Sequence, residues 1–78
     1  MSVTVLYFAS LRDAAGRDSE TLPAPVSLPA LYAELRARHG FALPAEKLRV
    51  AVDGAFAAWD SPIADGAEIA FIPPVSGG

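Results

Sequence analysis

The fold is decided by residues 27–40, which read Ser-Leu-Pro-Ala-Leu-Tyr-Ala-Glu-Leu-Arg-Ala-Arg-His-Gly. Ser27 is a favourable N-cap, and Pro29 falls in the first turn, where its missing N–H is not needed. Apolar side chains recur at helical spacing, and Gly40 is typical of a helix end. These apolar residues are Leu28, Leu31, Tyr32 and Leu35. The segment therefore predicts one main helix with a buried stripe.

His39 is the only histidine, and it lies in the last predicted turn of this helix. A positive charge there interacts favourably with the helix dipole. A general base needs a partner that orients it, and the neighbouring sequence suggests none. We therefore predict a solvated charge at His39 rather than a catalytic group.

Segments of strand character precede the main helix. Residues 2–9 are rich in β-branched and aromatic side chains, and residues 19–23 are expected to return as a second strand. Between them, Ser10 is predicted to cap a short helical turn, with Asp13 in a capping box and Gly16 closing the turn.

Three more strands are predicted after the helix. Residues 48–52 alternate, Asp53-Gly54 is a two-residue hairpin signal, and residues 55–59 are expected to return. The last strand is predicted at residues 67–72, where Pro73-Pro74 ends it because proline cannot donate to a sheet. The order β-β-α-β-β-β predicts an α+β fold of the ubiquitin-like β-grasp type, a mixed sheet packed on one main helix.

Length and composition exclude several classes of protein. The chain has 78 residues, a net charge of −3 and no cysteine, so we expect one domain over residues 1–74 without disulfides, metal site or cysteine nucleophile. The acidic balance argues against nucleic-acid binding. Prolines interrupt the longest uncharged run, and the N-terminus lacks the pattern of a secretory signal, so we expect a cytoplasmic protein without a membrane span.

Polar residues mark the face of the predicted sheet that points away from the main helix. Thr4, Arg49 and Glu68 are these markers, and period-2 alternation along the strands places three large apolar residues on the same face. If the Asp53-Gly54 turn has two residues, Ala51 faces Phe56 across the hairpin, which places a fourth there. These four residues, called the apolar face below, are Leu6, Phe8, Phe56 and Ile72. The alternate positions, expected to meet the helix, are Val3, Val5, Tyr7, Ile69 and Phe71. An exposed apolar face predicts a protein partner that stays bound to it. The alternative is a strand register shifted by one residue, which would return these side chains to the core.

The chain ends with Pro73-Pro74 followed by the residues Val75, Ser76, Gly77 and Gly78. The prolines stiffen the exit from the last strand, and the four residues after them form a flexible tail with a reach of about 13 Å. Glycine lets a backbone pass through a narrow channel, which suits insertion into the active site of another protein. The alternative is a frayed glycine-rich end without function.

A terminal carboxylate becomes reactive only after activation. A nucleoside triphosphate would convert it to an acyl adenylate, from which attack by sulfur gives a thiocarboxylate and attack by an amine gives an amide conjugate. The residues alone leave both outcomes open.

Two internal blocks and the tail carry a family resemblance. Residues 5–16 read Val-Leu-Tyr-Phe-Ala-Ser-Leu-Arg-Asp-Ala-Ala-Gly, and residues 65–74 read Asp-Gly-Ala-Glu-Ile-Ala-Phe-Ile-Pro-Pro. With the terminal Gly-Gly, they resemble the small subunits of molybdopterin synthase, a ubiquitin-like sulfur-carrier family. The first block is not expected in the thiazole-pathway sulfur carriers, which share the Gly-Gly end.

The resemblance implies a sulfur-donating subunit that is not itself catalytic and binds no cofactor. An ubiquitin-activating-like adenylyltransferase would use ATP to adenylate Gly78, which would then become 1-thioglycine. The tail would insert into the large subunit of a heterotetramer and donate sulfur to cyclic pyranopterin monophosphate, building the dithiolene of molybdopterin for molybdenum cofactor biosynthesis. The apolar face, with Pro73 and Pro74, would contact the large subunit, and Arg12 is expected to be structural or part of this interface. A thiazole-pathway carrier, a protein modifier and an inert interaction module are the alternatives.

Overall fold

Five strands and two helices form the part of the chain that the computed structural model describes, residues 1–74. A 3₁₀ turn, Ala45–Lys47, precedes the third strand. The strands and helices are β1 (Ser2–Tyr7), α1 (Ala9–Ala15), β2 (Ser19–Pro23), α2 (Leu28–His39), β3 (Arg49–Val52), β4 (Ala55–Ala57) and β5 (Glu68–Ile72).

The five strands form one mixed sheet in the order β2-β1-β5-β3-β4. Strands β1 and β5 run parallel, and the other neighbours are antiparallel. A parallel pair needs a crossover connection, which here contains α2. The predicted α+β fold of the β-grasp type is confirmed.

Helix α2 begins and ends as its sequence predicts. The Ser27 hydroxyl accepts a hydrogen bond from the Ala30 amide at 3.2 Å. Gly40 has φ 72°, a left-handed conformation that favours glycine, and its amide bonds to the Arg36 carbonyl at 2.8 Å. The stripe predicted to be buried is buried, and it consists of Leu28, Leu31, Tyr32 and Leu35.

The core lies between α2 and one face of the sheet. All five strand residues predicted to meet the helix are buried, namely Val3, Val5, Tyr7, Ile69 and Phe71. Because a slip of one residue would expose all of them, their burial confirms the predicted faces of β1 and β5.

The β3–β4 hairpin has the predicted two-residue turn. Asp53 and Gly54 have φ values of 52° and 86°, positive at both positions as a type I′ turn requires. Ala51 pairs with Phe56 across the turn, again as predicted.

The prediction that the return strand reaches residue 59 is wrong, because β4 ends at Ala57. The ring of Trp59 instead stacks on Phe71 at 5.7 Å between centroids and meets Tyr32 edge-on at 6.1 Å. The chain leaves the sheet edge because this packing partly buries the indole against the core.

The predicted boundary between β1 and α1 is also wrong. β1 ends at Tyr7, and Phe8 is the N-cap of α1 without a side-chain capping bond, so the predicted Ser10 cap and Asp13 capping box do not form. The Phe8 carbonyl accepts the first helical hydrogen bonds, and the next residue, Ala9, turns the chain with φ 50°. Gly16 closes the helix in a left-handed conformation, as predicted.

Candidate functional site: the apolar face and the tail exit

The strand register brings the apolar face together. Leu6 on β1 lies beside Ala70 on β5, which lies beside Ala51 on β3, which lies beside Phe56 on β4. These four residues form a row across the sheet, on the side away from α2. Phe56 is 68% exposed and Phe8 is 44% exposed, which is unusual for side chains of this size.

An open cavity of about 250 Å³ lies over this row. Its lining consists of Leu6, Phe8, Ala51, Gly54, Phe56, Glu68, Ala70 and Ile72. All four residues of the apolar face are among them, so the predicted placement of these residues is confirmed. The register shifted by one residue is excluded.

Charged groups stand at opposite ends of the apolar face. The Arg49 guanidinium lies 5.7 Å from the ring centroid of Phe56, within cation–π range. Glu68 lies at the other end, where β5 begins. Its amide donates a hydrogen bond to Asp53 Oδ1 at 2.9 Å, and its carbonyl accepts one from the Asp53 amide at 2.8 Å. The hairpin turn is thereby fastened to β5, which holds the β4 side of the cavity in place.

The two prolines predicted for the same interface line a separate groove. This groove lies beside the start of α1 and is formed by Ala9, Ser10, Ala42, Leu43, Pro73 and Pro74. Phe8 in the cavity and Ala9 in the groove are consecutive, so the two surfaces adjoin there. The predicted tail residues Val75, Ser76, Gly77 and Gly78 lie outside the described residues.

Arg12 lies on α1 with a largely exposed side chain, and its Nε is 3.8 Å from a carboxylate oxygen of Asp18. Within residues 1–74, no group of three His, Asp or Glu side chains is placed to hold a metal ion. No helix in that part of the chain is long and apolar enough to cross a membrane.

Glu20 on β2 is the centre of a polar cluster at the C-terminal end of α2. Tyr7 Oη donates to Glu20 Oε1 at 2.8 Å, and His39 Nε2 lies 3.2 Å from the same oxygen. Arg38 Nη1 donates to Glu20 Oε2 at 3.1 Å, and Arg17 Nη1 lies 3.8 Å from it.

This cluster shifts the pKa values of two of its members. Burial raises the pKa of Glu20, but hydrogen bonds from Tyr7 and His39 and the nearby charges of His39 and Arg38 outweigh that effect, and the pKa is lowered. Burial, followed by the hydrogen bond to Glu20, raises the pKa of Tyr7 well above its usual value.

The prediction of a solvated charge at His39 is wrong. Its side chain is only 14% exposed, and its ring meets the Tyr7 ring edge-on at 5.7 Å between centroids. Sequence neighbours did not reveal Glu20 as its partner because β2 approaches the end of α2 only in the folded chain.

One signal in the sequence could have revealed the position of Glu20. It precedes the buried Leu22 by two residues on β2, and residues two apart on a strand share a face. The alternation therefore places the Glu20 carboxylate on the side of the sheet that α2 covers, where it needs partners.

The profile of the ThiS family matches residues 5–78, which include the whole apolar face and the terminal glycines. The chain belongs to the ThiS family. Its relatives include the molybdopterin synthase sulfur carrier subunit of Escherichia coli K12, which is 38% identical over 97% of this chain and 99% of the relative.

Solved structures also resemble this ThiS-family chain. One is a chain in the protein–protein complex of subunits 1 and 2 of the molybdopterin-converting factor from Helicobacter pylori, with 25% identity, a TM-score of 0.72 and full coverage of both chains. Another is SAMP1, a small archaeal modifier protein from Haloferax volcanii, with 26% identity, a TM-score of 0.78 and full coverage of both chains.

Proposed function

We propose that this ThiS-family chain is the sulfur-carrier small subunit of a molybdopterin synthase. It would donate sulfur from a thiocarboxylate on Gly78 to cyclic pyranopterin monophosphate in molybdenum cofactor biosynthesis. The observation that carries the proposal is the 38% identity to the sulfur carrier subunit of Escherichia coli, which spans nearly the whole of both chains.

In this proposal a partner protein activates the terminal carboxylate. An ubiquitin-activating-like adenylyltransferase joins the Gly78 carboxylate to AMP from ATP and releases pyrophosphate. A sulfide-equivalent sulfur then displaces AMP and leaves the thiocarboxylate. This chain contributes the carboxylate and binds no cofactor, and the cytoplasm, where ATP is available, is its proposed location.

The large subunit of the synthase is the proposed partner of the apolar face. Four large apolar side chains with an open cavity among them are typical of a surface that another protein covers. The related Helicobacter pylori structure is a complex of subunits 1 and 2, which supports a two-subunit arrangement here. The groove beside Pro73 and Pro74 adjoins the apolar face, so a partner bound there also lies next to the start of the tail.

The experiment is the intact mass of the chain after incubation with ATP, the adenylyltransferase and a sulfur donor. We expect a species heavier by the difference between one sulfur and one oxygen, located at Gly78 by fragmentation. A variant lacking Gly78 is the control and should gain no sulfur. An unchanged mass for the wild-type chain would contradict the carrier chemistry.

Protein modification is the second candidate, and the similarity to SAMP1 favours it. In that case the activated Gly78 ends in an amide with a lysine of another protein, and immunoblots show conjugates of higher mass. A sulfur-loaded chain without conjugates excludes modification. Conversion of cyclic pyranopterin monophosphate by the loaded chain with the large subunit then distinguishes the pterin pathway from the thiazole pathway.

A further inference from the structure

The apolar face is a trough rather than a flat surface. In the row that crosses the sheet, the large side chains Leu6 and Phe56 stand on the two outer strands of the row. The two central strands contribute only Ala70 and Ala51, which pair with each other. The two alanines form the floor, and the larger side chains rise on either side of it.

The small volume of the trough favours a protein side chain, rather than a small molecule, as its occupant. Its volume is about 250 Å³, whereas pockets for small molecules usually measure about 300 to 1,000 Å³ and enclose their ligand. Interfaces between proteins are commonly anchored by one large side chain that enters such a recess.

The two ends of the trough differ in chemistry. Phe8 and Ile72 close one end, and the other end carries Glu68, the one charged residue that lines the cavity among the described residues. The hydrogen bonds between the backbone of Glu68 and Asp53 hold this end rigidly. A carboxylate beside an apolar recess matches a partner side chain of opposite charge.

We propose that the trough receives one large apolar side chain of the large subunit and that a lysine or arginine of the same subunit pairs with Glu68. This inference rests on the proposed function and adds the chemistry by which the partner is selected. It also sets the orientation of docking, because the cation meets only one end of the trough.

The floor of the trough is tested by Ala70→Leu, which fills it from below. We expect binding of the large subunit, measured by titration calorimetry, to weaken about tenfold or more. Ala37→Leu adds the same side chain on the exposed side of α2 and should bind like the wild type. If Ala70→Leu does not fold, as judged by thermal unfolding, Ala51→Leu tests the same floor. A folded variant that binds like the wild type would overturn the inference.

The pairing of Glu68 with a cation of the large subunit is tested by Glu68→Lys. We expect binding to weaken about tenfold or more at low salt, and the difference from the wild type to narrow as salt screens the charges. Glu46→Lys, an equal charge change in the 3₁₀ turn, is the matched control and should have a much smaller effect. Unchanged or tighter binding by Glu68→Lys would exclude a facing cation.

Measurements on the wild-type chain distinguish a failure of this inference from a failure of the proposed function. If it binds the large subunit and accepts sulfur at Gly78 while the filled-trough and charge-reversed variants bind equally well, only the inference fails. If the wild-type chain does not bind the large subunit, the proposed function and the inference both fail.

Discussion

Glu20 shows how one residue can connect elements that are distant in sequence. Its carboxylate joins β2 to Tyr7 on β1 and to Arg38 and His39 at the end of α2. A carboxylate that accepts several hydrogen bonds is stabilised in its charged form, which is why its pKa is lowered despite burial. The folded chain therefore favours ionised Glu20 more than the unfolded chain does.

We predict that Glu20→Gln lowers the free energy of unfolding by about 1 to 2 kcal/mol at neutral pH, because the amide cannot replace a charged acceptor. The folded pKa lies below the ordinary value of 4.5, so this stabilisation is present above 4.5 and is lost as the pH falls through the folded pKa. Urea unfolding at about pH 7, 5 and 3 should show the difference between wild type and variant shrinking below pH 5.

Glu46→Gln is the control for this prediction, because it neutralises an exposed carboxylate in the 3₁₀ turn. It should leave the free energy of unfolding within about 0.5 kcal/mol of the wild type. A difference between Glu20→Gln and wild type that stays constant from pH 7 to pH 3 would show that the charge of Glu20 is not responsible.

At the scale of elements, the β3–β4 hairpin depends on Asp53 in two ways. Its backbone adopts the positive φ that the type I′ turn requires, and its side chain accepts a hydrogen bond from the Glu68 amide. β4 is a short edge strand of three residues, so the ladder to β3 alone gives it few hydrogen bonds. The attachment of the turn to β5 therefore orients the strand that carries Phe56.

We predict that Asp53→Ala destabilises the fold by about 1 to 2 kcal/mol, because it leaves the Glu68 amide without this acceptor and strains a position with positive φ. Asp53→Asn keeps an oxygen acceptor and tolerates the same φ, so it should remain within about 0.5 kcal/mol of the wild type. Chemical unfolding of the three proteins provides the measurement. If Asp53→Ala and Asp53→Asn lowered the free energy of unfolding equally, the charge of Asp53 rather than its hydrogen-bond acceptor would be responsible.

At the scale of the whole molecule, the sheet separates stability from recognition. One face packs on α2 and forms the core, while the other carries the apolar face and its cavity. Adjacent residues on each strand contribute to opposite faces, so a substitution on the outer face need not disturb the core.

We predict that Phe56→Asp weakens binding of the large subunit about thirtyfold or more, while the free energy of unfolding changes by less than about 0.5 kcal/mol. The reason is that Phe56 is 68% exposed in this chain and belongs to the proposed interface. Val26→Asp, at an apolar residue that is 94% exposed and precedes α2, should leave binding unchanged. Equal effects of the two variants on binding would contradict the assignment of the interface.

Prediction from sequence succeeded where local rules determine the outcome. Ser27 and Gly40 delimit α2 through hydrogen bonds to residues within one turn, and Asp53-Gly54 sets the hairpin register through its own backbone angles. The faces of β1 and β5 follow from period-2 alternation alone. For this reason the amino-acid sequence is sufficient to predict the apolar face and the β-grasp order of elements.

The tertiary structure alone decided features that depend on which elements meet. Trp59 shortens β4 because its ring packs on Phe71, and Phe8 begins α1 at a chain reversal that its local sequence does not specify. His39 is largely buried because β2 positions Glu20 beside the C-terminal end of α2. Near neighbours along the chain set caps, turns and alternation, whereas the partners of a half-buried charge or an aromatic ring are set only when distant segments pack together.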